Sequence, residues 1–329
     1  MILAGDVGAT KILLEIGRVE GGSWRPAFEK RYAAADFEDF ESVLETFFSE
    51  CSGPGRNRTK IRSACFGAAG PAIANRVQMT NLPWVLNGNA IADRFGIDRV
   101  RVVNDFAAAA AGIELVDAGD LVTLQPGEPL ADAPRVVIGA GSGLGVAYVI
   151  PVGGDHRIVA GEGGHAGFAP ASAEQMDLWR DLHARQGRVQ AEDVVSGPGL
   201  VRIFEFVCRS HGTSPETVIP EPPSADGAAA AIARAALDGD PICGKALDLF
   251  VSCYGSVAGD HALAIMARGG VYVAGGIASK VLPRLAAGGF RAAFNDKGSH
   301  SGFVRKMPVF VVTNERLGLL GAAAMSANR

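Results

Sequence analysis

The chain has 329 residues, 48% of them hydrophobic and 20% charged, which calls for more than one compact lobe with large buried cores. Its formal net charge is −4 and it has no basic block. A nucleic-acid or anionic-lipid partner is therefore not expected, and a polyphosphate ligand would have to be held by local geometry.

The first residues read as a hairpin, with strands at 2–4 and 12–16 around the turn Gly5-Asp6-Val7-Gly8-Ala9-Thr10. No basic leader precedes an apolar stretch, so no signal peptide is expected and the compartment is read as the cytoplasm. Asp36 is the expected cap of a helix in which Phe37, Phe40, Val43, Leu44, Phe47 and Phe48 recur at helical spacing. A loop of Gly, Pro and Arg over 52–60 ends it. A strand at 61–66 runs into Gly67-Ala68-Ala69-Gly70-Pro71, and another at 100–103 delivers Asn104-Asp105 at its carboxyl end.

After a Pro/Gly loop at 125–134, a second hairpin is expected. Its strands are 136–138 and 146–150, and its turn is Gly139-Ala140-Gly141-Ser142-Gly143. The echo of the first hairpin suggests two equivalent lobes facing one ligand. Residues 210–226, with Pro215, Pro220, Pro222 and Pro223, read as loop. Asp240-Pro241 starts a long helix, cap residue before proline. The apolar stretch 241–268 carries Lys245, Asp248, Asp260 and His261, so it is not expected to span a bilayer. A strand at 271–274 ends in Gly275-Gly276, and a last helix begins near Arg316. Strands alternating with helices in two sets point to an α/β protein with two sheets and a cleft between them.

Glycine-rich turns after apolar strands, at 5–10, 139–145 and 275–276, can aim successive N–H groups at phosphate oxygens; ordinary tight turns are the plainer alternative. The dinucleotide fingerprint fails, because the sixth position from Gly139 is Leu144. A P-loop look-alike at Gly239 to Lys245 has Ala246 in place of Ser/Thr and opens a proline-started helix. Five scattered cysteines, Cys51, Cys65, Cys208, Cys243 and Cys253, include no C-x-x-C pair, so neither a disulfide framework nor a zinc site is expected.

Asp6 can hold magnesium beside phosphates, directly or through water, or can simply form its own turn. Asn104-Asp105 stands where open α/β sheets place ligand groups. Its carboxylate can take a hydroxyl proton as that oxygen attacks phosphorus, or can merely cap a helix. Gly161-Glu162-Gly163-Gly164-His165 and Glu192, the latter just before Ser196-Gly197-Pro198-Gly199, offer acceptors suited to neighbouring sugar hydroxyls.

In this order, Gly5 to Thr10, Asn104-Asp105, Gly139 to Gly145, Gly161 to His165, Ser196 to Gly199 and Ala274-Gly275-Gly276-Ile277 resemble the bacterial glucokinase family of the actin/hexokinase-like superfamily. Met79-Thr80-Asn81-Leu82-Pro83-Trp84 and Gly289-Phe290-Arg291-Ala292-Ala293-Phe294 extend the likeness over nearly the whole chain. The resemblance implies a two-lobed, ribonuclease H-like fold with an interlobe cleft. Residues 1–112 plus 310–329 would form the small lobe and 113–309 the large one. It implies ATP:D-glucose 6-phosphotransferase activity with Mg2+ and a homodimer. Asp105 becomes the base, and Asn104, Glu162, His165 and Glu192 hold the ring with it. Gly5, Asp6, Gly8, Ala9, Thr10, Gly139, Gly141, Ser142 and Gly143 serve the phosphates, and Gly275 and Gly276 the adenosine. The family usually has Gly-Gly-Thr-Asn where this chain has Gly8-Ala9-Thr10-Lys11. If position 9 needs positive φ, alanine costs about 1 kcal/mol there.

Kinases of the repressor/open-reading-frame/kinase group follow a similar Glu-x-x-His pair with a cysteine cluster. No cysteine lies between Cys65 and Cys208 here. The repressors of that group carry a helical DNA-binding domain ahead of the first strand, for which a strand starting at Ile2 leaves no room. A catalytically silent sugar sensor of the same fold is the remaining alternative.

Overall fold

The computed structural model describes residues 1–21, 23–51, 61–219 and 225–327. The expected loop at 52–60, and Pro220, Pro222 and Pro223 of the loop expected at 210–226, lie outside the described residues. The chain forms two compact units, Met1–Ala118 with Asn314–Arg329, and Gly119–Thr313.

The first unit contains β1 (Ile2–Val7), β2 (Lys11–Glu20), β3 (Ser23–Ala33), β4 (Ser63–Ala68), β5 (Ala72–Ile73), β6 (Arg76–Gln78), β7 (Val85–Asn87) and β8 (Arg99–Asn104). Its main sheet has the order β3-β2-β1-β4-β8, and β5-β6-β7 form a small separate sheet. β1 pairs antiparallel with β2 from Ile2↔Gly17 to Val7↔Ile12, and β1, β4 and β8 run parallel. The pairing shortens the expected first turn, because Gly5, Asp6 and Val7 belong to β1. Gly5 is glycine for packing: a methyl there would sit 2.6 Å from Phe66 Cδ1 and 2.8 Å from Leu14 Cδ2. Strand β4 likewise starts at Ser63 and runs through Gly67 to Ala68.

The first helix is Phe40–Cys51, and Asp36 closes a preceding 3-10 turn instead of capping it. The cap is Asp39, whose Oδ1 accepts from Ser42 N at 2.8 Å while Ser42 Oγ donates to Asp39 O at 2.7 Å. This D-x-x-S exchange satisfies the helix start better than Asp36 could. Phe40, Val43, Leu44 and Phe47 then face the sheet, fully buried.

The helix Asp105–Gly112 packs on the C-terminal helix Leu317–Ala327 through small residues. A methyl at Gly321 would fall on the Ala108 carbonyl, and one at Gly112 on the Leu317 carbonyl. The alanine run 107–111 is therefore a close-packed seam, buried throughout.

The second unit contains β9 (Leu121–Gln125), β10 (Arg135–Ala140), β11 (Leu144–Val152), β12 (Asp155–Gly161), β13 (Gly270–Ala274) and β14 (Val309–Val312). Its sheet order is β12-β11-β10-β13-β14-β9. β10, β11 and β12 form an antiparallel meander, and β13 and β14 continue parallel to β10. The first five positions repeat the arrangement of the first sheet, with β9 added at the edge. Because β14 completes this sheet, the chain rejoins the first unit only at Asn314.

The helix Pro241–Ile265 starts as expected, with Asp240 Oδ1 accepting from Cys243 N at 2.8 Å. Mid-helix, the fully buried Tyr254 offers its Oη to the Ala140 amide at 3.1 Å and so anchors the end of β10. The P-loop look-alike is the start of this helix, preceded by the helix Ala225–Leu237 and not by a strand. Among the described residues no helix is long and apolar enough to cross a membrane.

Candidate active site

In the first unit, parallel pairing aligns the carboxyl ends of β1, β4 and β8, with Asp6 opposite Gly67 and Ala68 opposite Asn104. Gly67 lies directly under Asp105: a methyl there would be 3.6 Å from Asp105 Cα and 2.9 Å from Ala108 Cβ. Asp6 and Asp105 are thus neighbours. Burial, and secondly the charge of Asp105, push the Asp6 carboxyl up to about 6. The first turn of the helix Leu317–Ala327 closes over Asp6, with the Cβ position of Gly318 3.2 Å from Asp6 Oδ2.

The helix cap is Asn104 and not Asp105. Its Oδ1 accepts from Phe106 N at 2.9 Å and Ala107 N at 3.1 Å, and its Nδ2 donates to Gly70 O at 3.1 Å. Asp105 Oδ1 also accepts from Phe106 N at 2.9 Å. Asn104 therefore fixes the strand-to-helix junction that presents Asp105.

Two supports of this junction carried no assigned role in the sequence. The Gly67–Pro71 segment supplies the Gly70 carbonyl. Asn75, in a turn with Ala74 at positive φ, accepts from Val102 N at 2.8 Å and donates to Val100 O at 2.9 Å. The Asn75 amide acts as a short extra strand along the edge of β8. The positive-φ non-glycines among the described residues are Ala74, Asn75 and Met266. Ala9 is not among them, so the strain considered for position 9 does not arise. Gly8 N donates to Lys11 O at 3.0 Å, and Ala9 and Thr10 complete the turn.

In the second unit, Gly139 lies in β10 and the turn proper is Gly141-Ser142-Gly143. Gly141 N donates to Gly143 O at 2.8 Å, and Gly141 O accepts from Gly197 N at 2.8 Å. Glu192, in a 3-10 turn at Ala191–Asp193, accepts from Leu144 N with its Oε2 at 2.7 Å. Ala191 N donates to Ala166 O at 2.8 Å, which joins the Glu192 turn to the segment carrying Glu162 and His165. Those two side chains are exposed, with His165 Nδ1 3.4 Å from Glu162 Oε2. Gly164 is pressed so closely on the Leu144 backbone that no side chain fits.

At the end of β13, Gly275 adopts φ 90°, and a Cβ there would meet Ala140 O at 2.6 Å. Glycine is required here both by conformation and by contact. The structure thus gathers Glu162, His165, Glu192, the 141–143 turn and Gly275 in one unit, and Asp6, Asn104 and Asp105 in the other.

A family model named Glucokinase matches residues 3–329. The chain belongs to the glucokinase family. It is 38% identical to the glucokinase of Synechocystis sp., over 99% of this chain and 97% of that protein. It is 37% identical to the glucokinase of Yersinia pestis (strain Pestoides F), over 98% and 95% respectively. A crystal structure of a glucokinase from an Antarctic psychrotroph superposes with a TM-score of 0.86 at 28% identity, covering 100% of this chain and 99% of that one. The two similar sheets are those of the actin-like ATPase fold shared by glucokinases and related sugar kinases.

Proposed function

We propose that this chain transfers the γ-phosphoryl group of ATP to the 6-hydroxyl of D-glucose, giving glucose 6-phosphate and ADP. The observation that carries the mechanism is Asp105, presented at the end of β8 by a junction that Asn104 hydrogen bonds on three sides. A carboxylate held this way accepts the hydroxyl proton as the oxygen attacks phosphorus, a role worth about 10²–10⁴-fold. Asn104, with its Oδ1 occupied by the helix start, has an amide N–H left for the sugar. Glu162 and His165, exposed and side by side, accept from and donate to ring hydroxyls, together with Glu192.

The Gly8, Gly141 and Leu144 amides are engaged within the protein, which favours Ala9 and Thr10 in the first unit and Ser142 and Gly143 in the second as the groups that meet the phosphates. Gly275 and Gly276 serve the adenosine. The small lobe supplies Asp6, Asn104, Asp105 and the turn at 8–10, and the large lobe the remaining sugar and nucleotide groups.

Asp6 fits magnesium: its hard oxygen donors stand beside a second carboxylate, a pairing that a cation relieves. Mg2+ held there through water would neutralise charge on the phosphates. The reading includes a cytoplasmic homodimer, which sedimentation of the purified protein checks.

The test is a coupled assay of glucose, mannose and an amino sugar with ATP and Mg2+, run on wild type and Asp105→Asn. Glucose turnover that falls at least about 100-fold in the variant, with ATP binding retained, is expected. Turnover near wild type in Asp105→Asn would remove the base from Asp105. Absence of turnover with any hexose in the wild type would overturn the kinase reading itself.

A further inference from the structure

We propose that His261 and Tyr148 are positioning residues for glucose, acting through the main chain of Gly163 on the turn that carries Glu162 and His165. This rests on the sugar-binding role proposed for those two side chains.

Tyr148 and Val146 lie on the same face of β11, two residues apart. The neighbouring β12 ends at Gly161, paired with Val146, so the chain leaves the sheet beside them and enters the Glu162-to-His165 turn. The helix Pro241–Ile265 brings His261 onto this spot. Its Nδ1 is 2.8 Å from Tyr148 Oη, and its ring lies against the main chain of Gly163, which favours the charged imidazole. The contact is close, since a methyl on Gly163 would lie 2.9 Å from both His261 Cε1 and Val146 Cβ.

A main-chain group that favours the charged ring is an acceptor, so the Gly163 carbonyl is the partner we assign to the remaining ring N–H of His261. Nδ1 then carries the lone pair and accepts from the Tyr148 hydroxyl. Burial depresses the His261 pKa, outweighing the nearby Asp260 charge and the Gly163 bond, which keeps this neutral form in place. Asp260 is itself engaged by Lys297 Nζ at 2.8 Å, and that lysine also donates to Ser256 O at 3.0 Å, so the end of the helix is braced independently.

The Gly163 carbonyl also accepts from Ala166 N at 3.2 Å, and His165 N donates to Glu162 O at 3.0 Å. With these bonds alone the turn is a single 3-10 loop whose two functional side chains are exposed. The Tyr148–His261–Gly163 chain adds an anchor from the helix, which sets the direction in which Glu162 and His165 project. Misplacing a binding carboxylate by a fraction of an ångström weakens ground-state sugar binding without altering the base.

The experiment compares His261→Leu, His261→Gln, Tyr148→Phe and the control Glu162→Gln in the full-length protein. It measures kcat, KM for glucose, KM for ATP, and amide hydrogen exchange in a peptide covering 161–168. His261→Leu is expected to raise KM for glucose about 10-fold, to change kcat and KM for ATP less than about 2-fold, and to speed exchange in that peptide. His261→Gln, which keeps a donor and an acceptor, is expected to recover most of the glucose affinity, and Tyr148→Phe to fall between. Equal losses in both KM values, or a glutamine variant no better than leucine, would overturn the positioning role. If Glu162→Gln raises KM for glucose and His261→Leu does not, this inference fails alone. If neither moves it, the sugar assignment of the turn fails and takes the inference with it.

Discussion

The Glu192 carboxylate accepts a hydrogen bond from the Leu144 amide at 2.7 Å, across 48 residues of sequence. An acid expected to meet the sugar is therefore also the brace of a turn expected to meet phosphate. Gly143 is shaped around it, since a Cβ there would lie 2.5 Å from Glu192 Oε2, whereas a Cβ on Gly141 would meet no atom within 4 Å.

Two alanine substitutions separate these roles. Gly143→Ala displaces the flexible end of Glu192 and is expected to raise KM for glucose and for ATP together, about 10-fold each, the scale of one charge-assisted hydrogen bond. Gly141→Ala is expected to leave the ligand-free stability within about 0.5 kcal/mol while raising KM for ATP alone. Steady-state kinetics with urea unfolding of both variants checks this. A Gly143→Ala enzyme impaired only toward ATP would show that Glu192 has no part in sugar binding.

The Asp6 carboxyl is pushed up to about 6 from an ordinary value of 3.8. Its folded-state pKa is above the unfolded one, so it contributes stability that is fully present below about pH 3.8 and is lost as pH rises through about 6. Asp6→Asn, which mimics the protonated form, is expected to stabilise the ligand-free protein at pH 7.5 by on the order of 2 kcal/mol. The gain should vanish toward pH 4, and use of Mg-ATP should collapse. Urea midpoints at both pH values measure it. A variant less stable than wild type at pH 7.5 would mean that the Asp6 carboxylate is held comfortably ionised.

Glu15 is fully buried in β2, where it accepts from Trp24 Nε1 at 2.6 Å and pairs with Arg316, just ahead of the C-terminal helix. Arg316 also approaches Glu29 at 3.4 Å. Arg316→Leu leaves a buried carboxylate without its cation and is expected to cost about 3 kcal/mol, reduced from a fully buried pair because the arginine is partly exposed. The double variant Glu15→Leu/Arg316→Leu should recover much of that loss. Equilibrium unfolding decides it, and equal stability of Arg316→Leu and wild type would show that the pair contributes nothing.

Much of the molecule was legible locally. Hairpins at both sheet starts, the Asp240-Pro241 helix start and the Asn104-Asp105 strand end are set by residues adjacent in sequence, whose periodicity and turn chemistry act over a few positions. Near misses were also local competitions. Asp39 outcompeted Asp36 as a cap because Ser42 stands three residues on, and Gly5 and Gly139 joined strands because partner strands continue past them.

What the sequence by itself determined is which residues are proposed for the chemistry: the Asp105 carboxylate, the Glu162 and His165 pair, and the glycine turns. What only tertiary structure decided is how those groups are held. Asp6 meets Asp105 because two parallel strand pairings align their ends. Glu192 reaches Leu144, and His261 reaches Tyr148, across 48 and 113 residues. Such contacts join groups that no short-range pattern relates, since their geometry is fixed only when sheets and helices close-pack.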